Sequence, residues 1–175
     1  MLFAPWRYKY VTSAASKNSK NRSCVFCEAP EKDEEEALVL YKGKHAYIIM
    51  NLYPYNTGHV MIVPYRHVPS IEDLNEEELL EISMLLKAVI IGAKKALKPH
   101  GFNVGVNIGK AAGAGIEDHV HVHVVPRWEG DTNFMPVVAE TKVIPQDPRD
   151  TYKLLKPTIL EAVQMLSLGG KKADS

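Results

Sequence analysis

Seven histidines occur in this chain, and three of them, His119, His121 and His123, alternate with Val120, Val122 and Val124 in the run HVHVHVVPRW (119–128). Strict alternation with β-branched residues has the period of an extended strand, so the three imidazoles are expected on one face. At roughly 3.3 Å of rise per residue, neighbouring rings stand about 6.6 Å apart, near enough to act on one phosphate, one metal ion or both. Three imidazoles withdrawn from water on a core-facing strand would be costly without a chemical role. Histidine suits phosphoryl and nucleotidyl transfer because its neutral ring can hold one nitrogen's proton on an acceptor while the other nitrogen offers a lone pair to phosphorus. With an ordinary pKa of about 6.5, that neutral form dominates at pH 7. The competing use is metal ligation, since histidines at i and i+2 on a strand also suit zinc.

The surrounding chain supplies elements that can hold such a strand. LVLY (38–41) and HAYIIM (45–50) flank KGK (42–44), which reads as a hairpin with Gly43 supplying a permissive backbone. HVMIVPY (59–65) reads as a third strand after a turn region containing Pro54, Asn56 and Gly58, and FNVGVNIG (102–109) as a fourth. With the histidine run as the fifth, the sheet is expected to be antiparallel. Asn75 and Glu78 have capping-box spacing ahead of a long helix, with Leu79, Ile82, Leu86, Val89, Ala93 and Leu97 on one stripe. Leu80, Met84 and Ile90 widen that stripe, so the helix is expected to be well buried against the sheet or a partner subunit, with Met84 as core filler. Pro99 and Gly101 stop it. KAAGAGIED (110–118) is a glycine-bearing loop in which Gly113, Ala114 and Gly115 could present backbone N–H groups to developing negative charge. A helical pattern resumes from Asp150 to Ser167, where Pro157 is expected to force a break or a restart. The class is α+β.

At 175 residues and 46% apolar content, the chain can bury roughly 70% of its extended surface as one domain. Lys plus Arg and Asp plus Glu are equal at 21 each, so no basic excess exists to hold a nucleic-acid backbone, whereas a mononucleotide needs only a few local groups. No apolar run is long enough to span a membrane, and MLFAPWRYKYV at the start lacks a signal-like core, which together point to the cytoplasm. The two cysteines, spaced as CVFC (24–27), suggest half a metal site in that reducing compartment. Residues 1–11 carry Trp6, Tyr8 and Tyr10, expected to anchor the terminus, and 12–23 read as a polar linker. EKDEEEA (31–37) reads as a solvated charged loop, and GGKKADS (169–175) as a frayed tail.

The histidine run resembles the HφHφHφφ motif (φ apolar) of the histidine triad, or HIT, family of nucleotide hydrolases and transferases. The resemblance extends to NLYPYNTGHVMIVPYRH (51–67), HGFNVGVNIG (100–109), VVPRWEGDTNF (124–134) and VIPQ (143–146). The combination looks most like the branch that cleaves diadenosine tetraphosphate by phosphorolysis, the ATP adenylyltransferases. It implies a HIT-like fold, an antiparallel five-stranded sheet with one long helix and a C-terminal helical segment. The implied organisation is a single domain over 1–175, with arm and linker at 1–23, core at 24–156 and C-terminal helix and tail at 157–175.

The same resemblance implies roles. His121 would be the nucleophile, forming a nucleotidyl-histidine that phosphate or water then resolves. His123 would donate to a non-bridging oxygen or the leaving group, and His59, in a GHVxxxP pattern, would face the same phosphate. Asn107 matches an amide that orients the α-phosphate. Asn51 matches an Asn or Asp on the ribose hydroxyls, with turn formation as the equal alternative. Trp128 would stack on a second base or rim the pocket. Cys24, Cys27, His67 and His119 would hold a structural zinc, with His45 a substitute ligand and His100 on the surface. No redox cofactor is implied. The expected partners are a nucleotide substrate, inorganic phosphate as acceptor, and further copies of the chain in a homodimer or homotetramer. One departure concerns the acceptor: several phosphorolytic relatives carry Ser four residues before the first triad histidine, where this chain has Gly115. Three other readings therefore stay open: a dinucleoside polyphosphate hydrolase or nucleoside phosphoramidase, a zinc-stabilised nucleotide-binding module without turnover, and a zinc hydrolase that uses all three histidines as ligands.

Overall fold

The computed structural model describes residues 24–132, 138 and 146–169. The expectations for the N-terminal arm and linker, for VIPQ up to residue 145, and for the tail beyond Gly169 lie outside those residues. Two single turns come first, α1 (Val25–Glu28) and α2 (Glu34–Ala37), with a short 3-10 turn between them. β1 (Val39–Lys42), β2 (Ala46–Met50) and β3 (Val60–Pro64) follow, then α3 (Glu76–Leu97), β4 (Gly101–Val106), β5 (Val122–Arg127) and α4 (Pro148–Gly169). The five strands form one antiparallel sheet in the order β1-β2-β3-β5-β4.

Because successive side chains in a strand point to opposite faces, the sheet sorts its residues in two. Ala46, Ile48, Met50, Val60, Ile62 and Val124 face one side and meet Ile82, Leu85, Val89 and Ala93 of α3 and Tyr152, Leu155 and Ile159 of α4. Tyr47, Ile49, Met61 and Val63 face the other, where Phe26 and Ala29 cover them. Met61 pairs with His123 across the β3–β5 ladder, which puts the histidines on this second face.

The ends of α3 follow the sequence. Asn75 accepts from Glu78 N–H and Glu78 accepts from Asn75 N–H, both limbs of the capping box. Glu78 is buried, and Arg66 satisfies it through two hydrogen bonds of 2.7 and 2.6 Å, tying α3 to the segment that carries His67. Gly92 permits the crossing of the two long helices, because a Cβ there would lie 2.9 Å from the Ile159 backbone.

Five local expectations need correction. Leu79, Leu80 and Met84 are 38%, 66% and 41% exposed, so this flank of α3 is not closed over by its neighbours. Leu80 and Met84 line an open groove of about 420 Å³ with Tyr41, His45 and Leu166, which none of the three alternating histidines lines. Pro157 lies inside a continuous α4, whose buried Leu155 and Ile159 hold the helix together across the missing N–H. Gly43 is required by space and not by its backbone angle: a Cβ would sit 2.6 Å from Ala46 O and 2.7 Å from Glu81 Oε1. Glu81 needs that room, as it accepts the N–H groups of Lys44, His45 and Ala46 at the hairpin tip. The charged stretch 31–37 includes α2, capped by Asp33. Finally, β5 begins at Val122, so His119 and His121 precede the ladder. The register sets Pro64 opposite Val120, where Pro64 has no N–H for a further rung. Val120 N–H turns to Val68 O instead, at 2.7 Å.

Candidate active site and metal centre

Each triad histidine has a distinct set of partners that follows from its place relative to the end of the ladder. His119, wholly buried, places Nε2 2.8 Å from Pro64 O, so Nε2 carries the proton and Nδ1 is left with its lone pair. That Nδ1 lies 3.4 Å from Cys24 Sγ and 3.6 Å from Cys27 Sγ, and His67 Nδ1 lies 3.3 Å from Cys27 Sγ. The four ligand atoms of Cys24, Cys27, His67 and His119 fall within 4.8 Å of one another. This cluster could hold a metal ion, and the first triad histidine belongs to it. His45 does not; it pairs with Glu77 at 3.4 Å. His100 is exposed and accepts from Glu129 N–H.

His121 is arranged the other way round. Its Nδ1 lies 2.8 Å from the His119 carbonyl oxygen, so Nδ1 carries the proton and Nε2 is the free base. Among the described residues Nε2 takes no hydrogen bond, and it is not one of the enclosed unpartnered atoms, which are Thr57 Oγ1 and Ser70 Oγ. Burial lowers the His121 pKa, opposed by the bond to the His119 carbonyl, and the ring is neutral at pH 7.

A backbone donor fixes the third histidine at one remove. Tyr55 N–H donates to His59 Nδ1 at 3.0 Å, which leaves the His59 proton on Nε2. That Nε2–H meets His123 Nδ1 at 3.0 Å, so neutral His123 carries its own proton on Nε2; Asn107 Nδ2 lies 3.4 Å away, and a half-turn of that amide brings its oxygen there to accept the proton. Burial, reinforced by the neighbouring His123, pushes His59 down to about 3, and burial with His121 pushes His123 down to about 4. Neither ring is a cation at neutral pH. The expectation that His59 faces the phosphate is corrected here: the ring is wholly buried behind His123 and both its nitrogens are engaged by protein.

The remaining expected residues divide. Asn107 stands beside His123, immediately after β4. Asn51 accepts from Tyr53 N–H at 2.8 Å, forming the turn, while its amide nitrogen approaches His59. Gly113 and Ala114 turn their N–H groups inward, to Lys110 O and Gly109 O, and so do not present them outward; among the described residues Gly115 N–H takes no backbone partner. Trp128 is at the far end of β5, five residues and about 16 Å along the strand from His123, so the structure does not bring it to the triad.

Four contacts were not foreseen. The exposed Tyr55 ring lies 4.6 Å from that of His59 and 5.5 Å from that of His123. Phe26, between the two cysteines, packs against His119 and His121. Asn56, 3% exposed, donates to both Pro126 O and Asp131 Oδ2. Asp131 also takes the Arg127 guanidinium in two bonds and the N–H of Trp128, and Arg127 holds its carboxyl well below the usual range. The available signal was the chemistry-bearing company these residues keep: an aromatic inside CVFC, and PYN directly before TGH.

A family model described as HIT domain matches residues 32–130. The chain belongs to the HIT family. Among curated HIT relatives, the AP-4-A phosphorylase of Mycobacterium tuberculosis is 46% identical over 158 residues, covering 88% of this chain and 81% of the relative. A hypothetical histidine triad nucleotide-binding protein from Sulfolobus tokodaii strain 7 superposes with a TM-score of 0.63 at 30% identity, over 82% of this chain and 94% of that one. A crystallised Zn-bound histidine triad family protein from Mycobacterium smegmatis shares the fold, with a TM-score of 0.65 at 24% identity over 82% of this chain and 97% of that one. The five-stranded antiparallel HIT sheet with α3 and α4 is thus the architecture that the sequence pattern implied.

Proposed function

We propose that this HIT protein is an enzyme that cleaves diadenosine tetraphosphate by phosphorolysis, giving ATP and ADP through a nucleotidyl-histidine. The observation that carries the chemistry is the His121 tautomer: Nδ1–H on the His119 carbonyl leaves an Nε2 lone pair as the nucleophile. The similarity to the AP-4-A phosphorylase, at 46% identity over 88% of the chain, supports the choice of substrate.

In the first step His121 Nε2 attacks the α-phosphorus, a P–N bond forms, the bond to the bridging oxygen breaks and ATP leaves. The ring becomes cationic, and the His119 carbonyl stabilises its Nδ1–H. His123, holding its proton on Nε2 because His59 occupies Nδ1, donates to the departing or a non-bridging oxygen. Asn107 orients the α-phosphate beside it. An oxygen of inorganic phosphate then attacks phosphorus, the P–N bond breaks and ADP is released with His121 regenerated. His59 acts through His123, and Asn51, whose amide nitrogen is next to His59, is read as the partner of the ribose hydroxyls.

The metal is best read as zinc in a structural role. Tetrahedral zinc, with bonds of about 2.3 Å to sulfur and about 2.05 Å to nitrogen, would set sulfur–nitrogen edges of about 3.6 Å, and the sulfur–nitrogen separations here are 3.3, 3.4 and 3.6 Å. Cys24 and Cys27 beside α1, His67 beyond β3 and His119 would hold it, and it would tie those three segments together. A cytoplasmic setting suits the two free thiols, and no helix among the described residues is long and apolar enough to cross a membrane. Assembly as a homodimer or homotetramer accords with the edge of β4, unpaired among the described residues, where Asn103, Val104 and Gly105 are exposed.

The test is turnover of diadenosine tetraphosphate with and without inorganic phosphate, alongside His121→Ala. Equal ADP and ATP that require phosphate are expected, with loss of turnover on the order of 10⁵-fold in the variant, as when a covalent nucleophile is removed. AMP plus ATP independent of phosphate would convert the reading to hydrolysis, and full activity of His121→Ala would end it.

A further inference from the structure

The metal centre and the nucleophile share a wall. Phe26 stands between Cys24 and Cys27 on α1, and its ring, 5% exposed, packs on both histidines that matter to those two sites. It meets His119 edge-on, with centroids 5.5 Å apart at 76°, and lies tilted on His121 at 4.8 Å and 53°. Its backbone is tethered as well: Tyr47 Oη–H donates to Phe26 O at 2.7 Å from the middle of β2. Val25, the other residue between the cysteines, is 57% exposed, so Phe26 alone of that pair turns inward.

We propose that Phe26 is a positioning residue for His121, holding the imidazole in the one ring orientation that aims Nε2 outward. The need arises from the ring itself. Rotation about histidine χ2 is broad and roughly two-fold, so one hydrogen bond to the His119 carbonyl competes with a flipped ring that would bury Nε2 and present Nδ1. A ring packed against the imidazole restricts its rocking about χ2 and keeps it in the plane where Nδ1 meets the His119 carbonyl, so that this bond selects the orientation over the flipped one. The cysteines on either side of Phe26 fix where the packing ring stands. His119 closes the arrangement, since its Nδ1 faces the thiols while its carbonyl takes the His121 proton. The centre that could hold the metal thereby reaches the nucleophile by two routes, the His119 backbone and the Phe26 ring. This role rests on His121 acting as the nucleophile.

The experiment uses zinc-loaded, full-length protein and the variants Phe26→Leu and Phe26→Met, which keep apolar bulk and lose the ring. Zinc per chain is measured by elemental analysis, and the His121 tautomer by ¹⁵N-histidine NMR, which reads orientation and hydrogen bonding without turnover. Expected are wild-type zinc content, a KM for diadenosine tetraphosphate within about twofold, and kcat lowered by about 10- to 100-fold, the scale of a misplaced reacting group. The His121 signal should shift from a pure Nδ1–H tautomer to a mixture. A pure tautomer with unchanged kcat in both variants overturns the proposal, as does loss of zinc in step with kcat, which would make Phe26 a part of the metal site alone. A His121→Ala control separates the readings: if that variant keeps full turnover the nucleophile assignment fails, whatever the Phe26 variants do.

Discussion

One face of the sheet carries two helices of 22 residues each, whereas the face that holds the histidines is covered, among the described residues, by the four-residue α1 and the 3-10 turn beside it. The helical face is held by apolar area: Leu155, Ile159, Val89 and Ala93 are fully enclosed between α4, α3 and the strands. The histidine face has Phe26 and Ala29 for the same purpose, too little to hold a chain segment by burial alone. In its place stand two thiols and two imidazoles from three separate segments, a cluster that could be cross-linked by a metal ion. A thin cover also leaves His121 Nε2 within reach of substrate, which a pair of long helices would prevent.

The largest difference between the faces is expected at the cysteines. Cys24→Ser is expected to weaken zinc binding by more than about a hundredfold, since changes even beyond the direct ligands cost 10- to 100-fold. Proteolysis should then cut first around α1 while α3 and α4 stay protected, which limited digestion followed by mass spectrometry would read; uniform cutting would show that the two faces are not held independently. On the other face Leu155→Ala, wholly within the core, should cost about 2–5 kcal/mol in urea unfolding and leave kcat of the folded fraction and zinc content unchanged.

Acid gives the next effect, and its sign follows from the buried imidazoles. In the folded protein His59 and His123 take up protons only near 3 and 4, while the unfolded chain does so from about 6.5. Stability is therefore complete above about pH 6.5 and declines as pH falls towards 4, by a few kcal/mol at pH 4. Urea midpoints across that range should show it, and His59→Gln should flatten the slope. The smallest effect belongs to the hairpin tip. Glu81→Gln, which retains one acceptor for the three N–H groups at 44–46, should cost about 1–2 kcal/mol with no change in turnover.

How far the sequence disclosed these two faces depended on whether the signal was local. Short continuous apolar runs in AYIIM and VMIVP and the alternation of the histidine run gave the strands, and the Asn75–Glu78 spacing gave the start of α3, because each is a local pattern set by backbone geometry. Of the cluster that could hold a metal, CVFC was legible through its residue types, whereas His67 and His119 came with the resemblance to the HIT family. What was not legible depended on three-dimensional competition. Leu80 and Met84 fit the stripe of α3 yet lie on its open flank, and Pro157 sits in a helix that tertiary packing carries through. His59 was assigned to the phosphate because the motif names the residue and not its depth; only the Tyr55 N–H and the His123 ring show that it stands behind. Gly113 and Ala114 were chosen for unhindered amides, which the loop uses on itself.

The side chain of Asn56 rivets the turn before β3 to the turn after β5, with one hydrogen each for Pro126 O and Asp131. Surface connections ordinarily tolerate gained or lost residues. This one has a fixed length instead: an insertion between Asn51 and His59 would carry Asn56 off its two acceptors and Tyr55 off the imidazole it caps. Length drift in this protein is thereby restricted to stretches such as 110–118, whose bonds close locally.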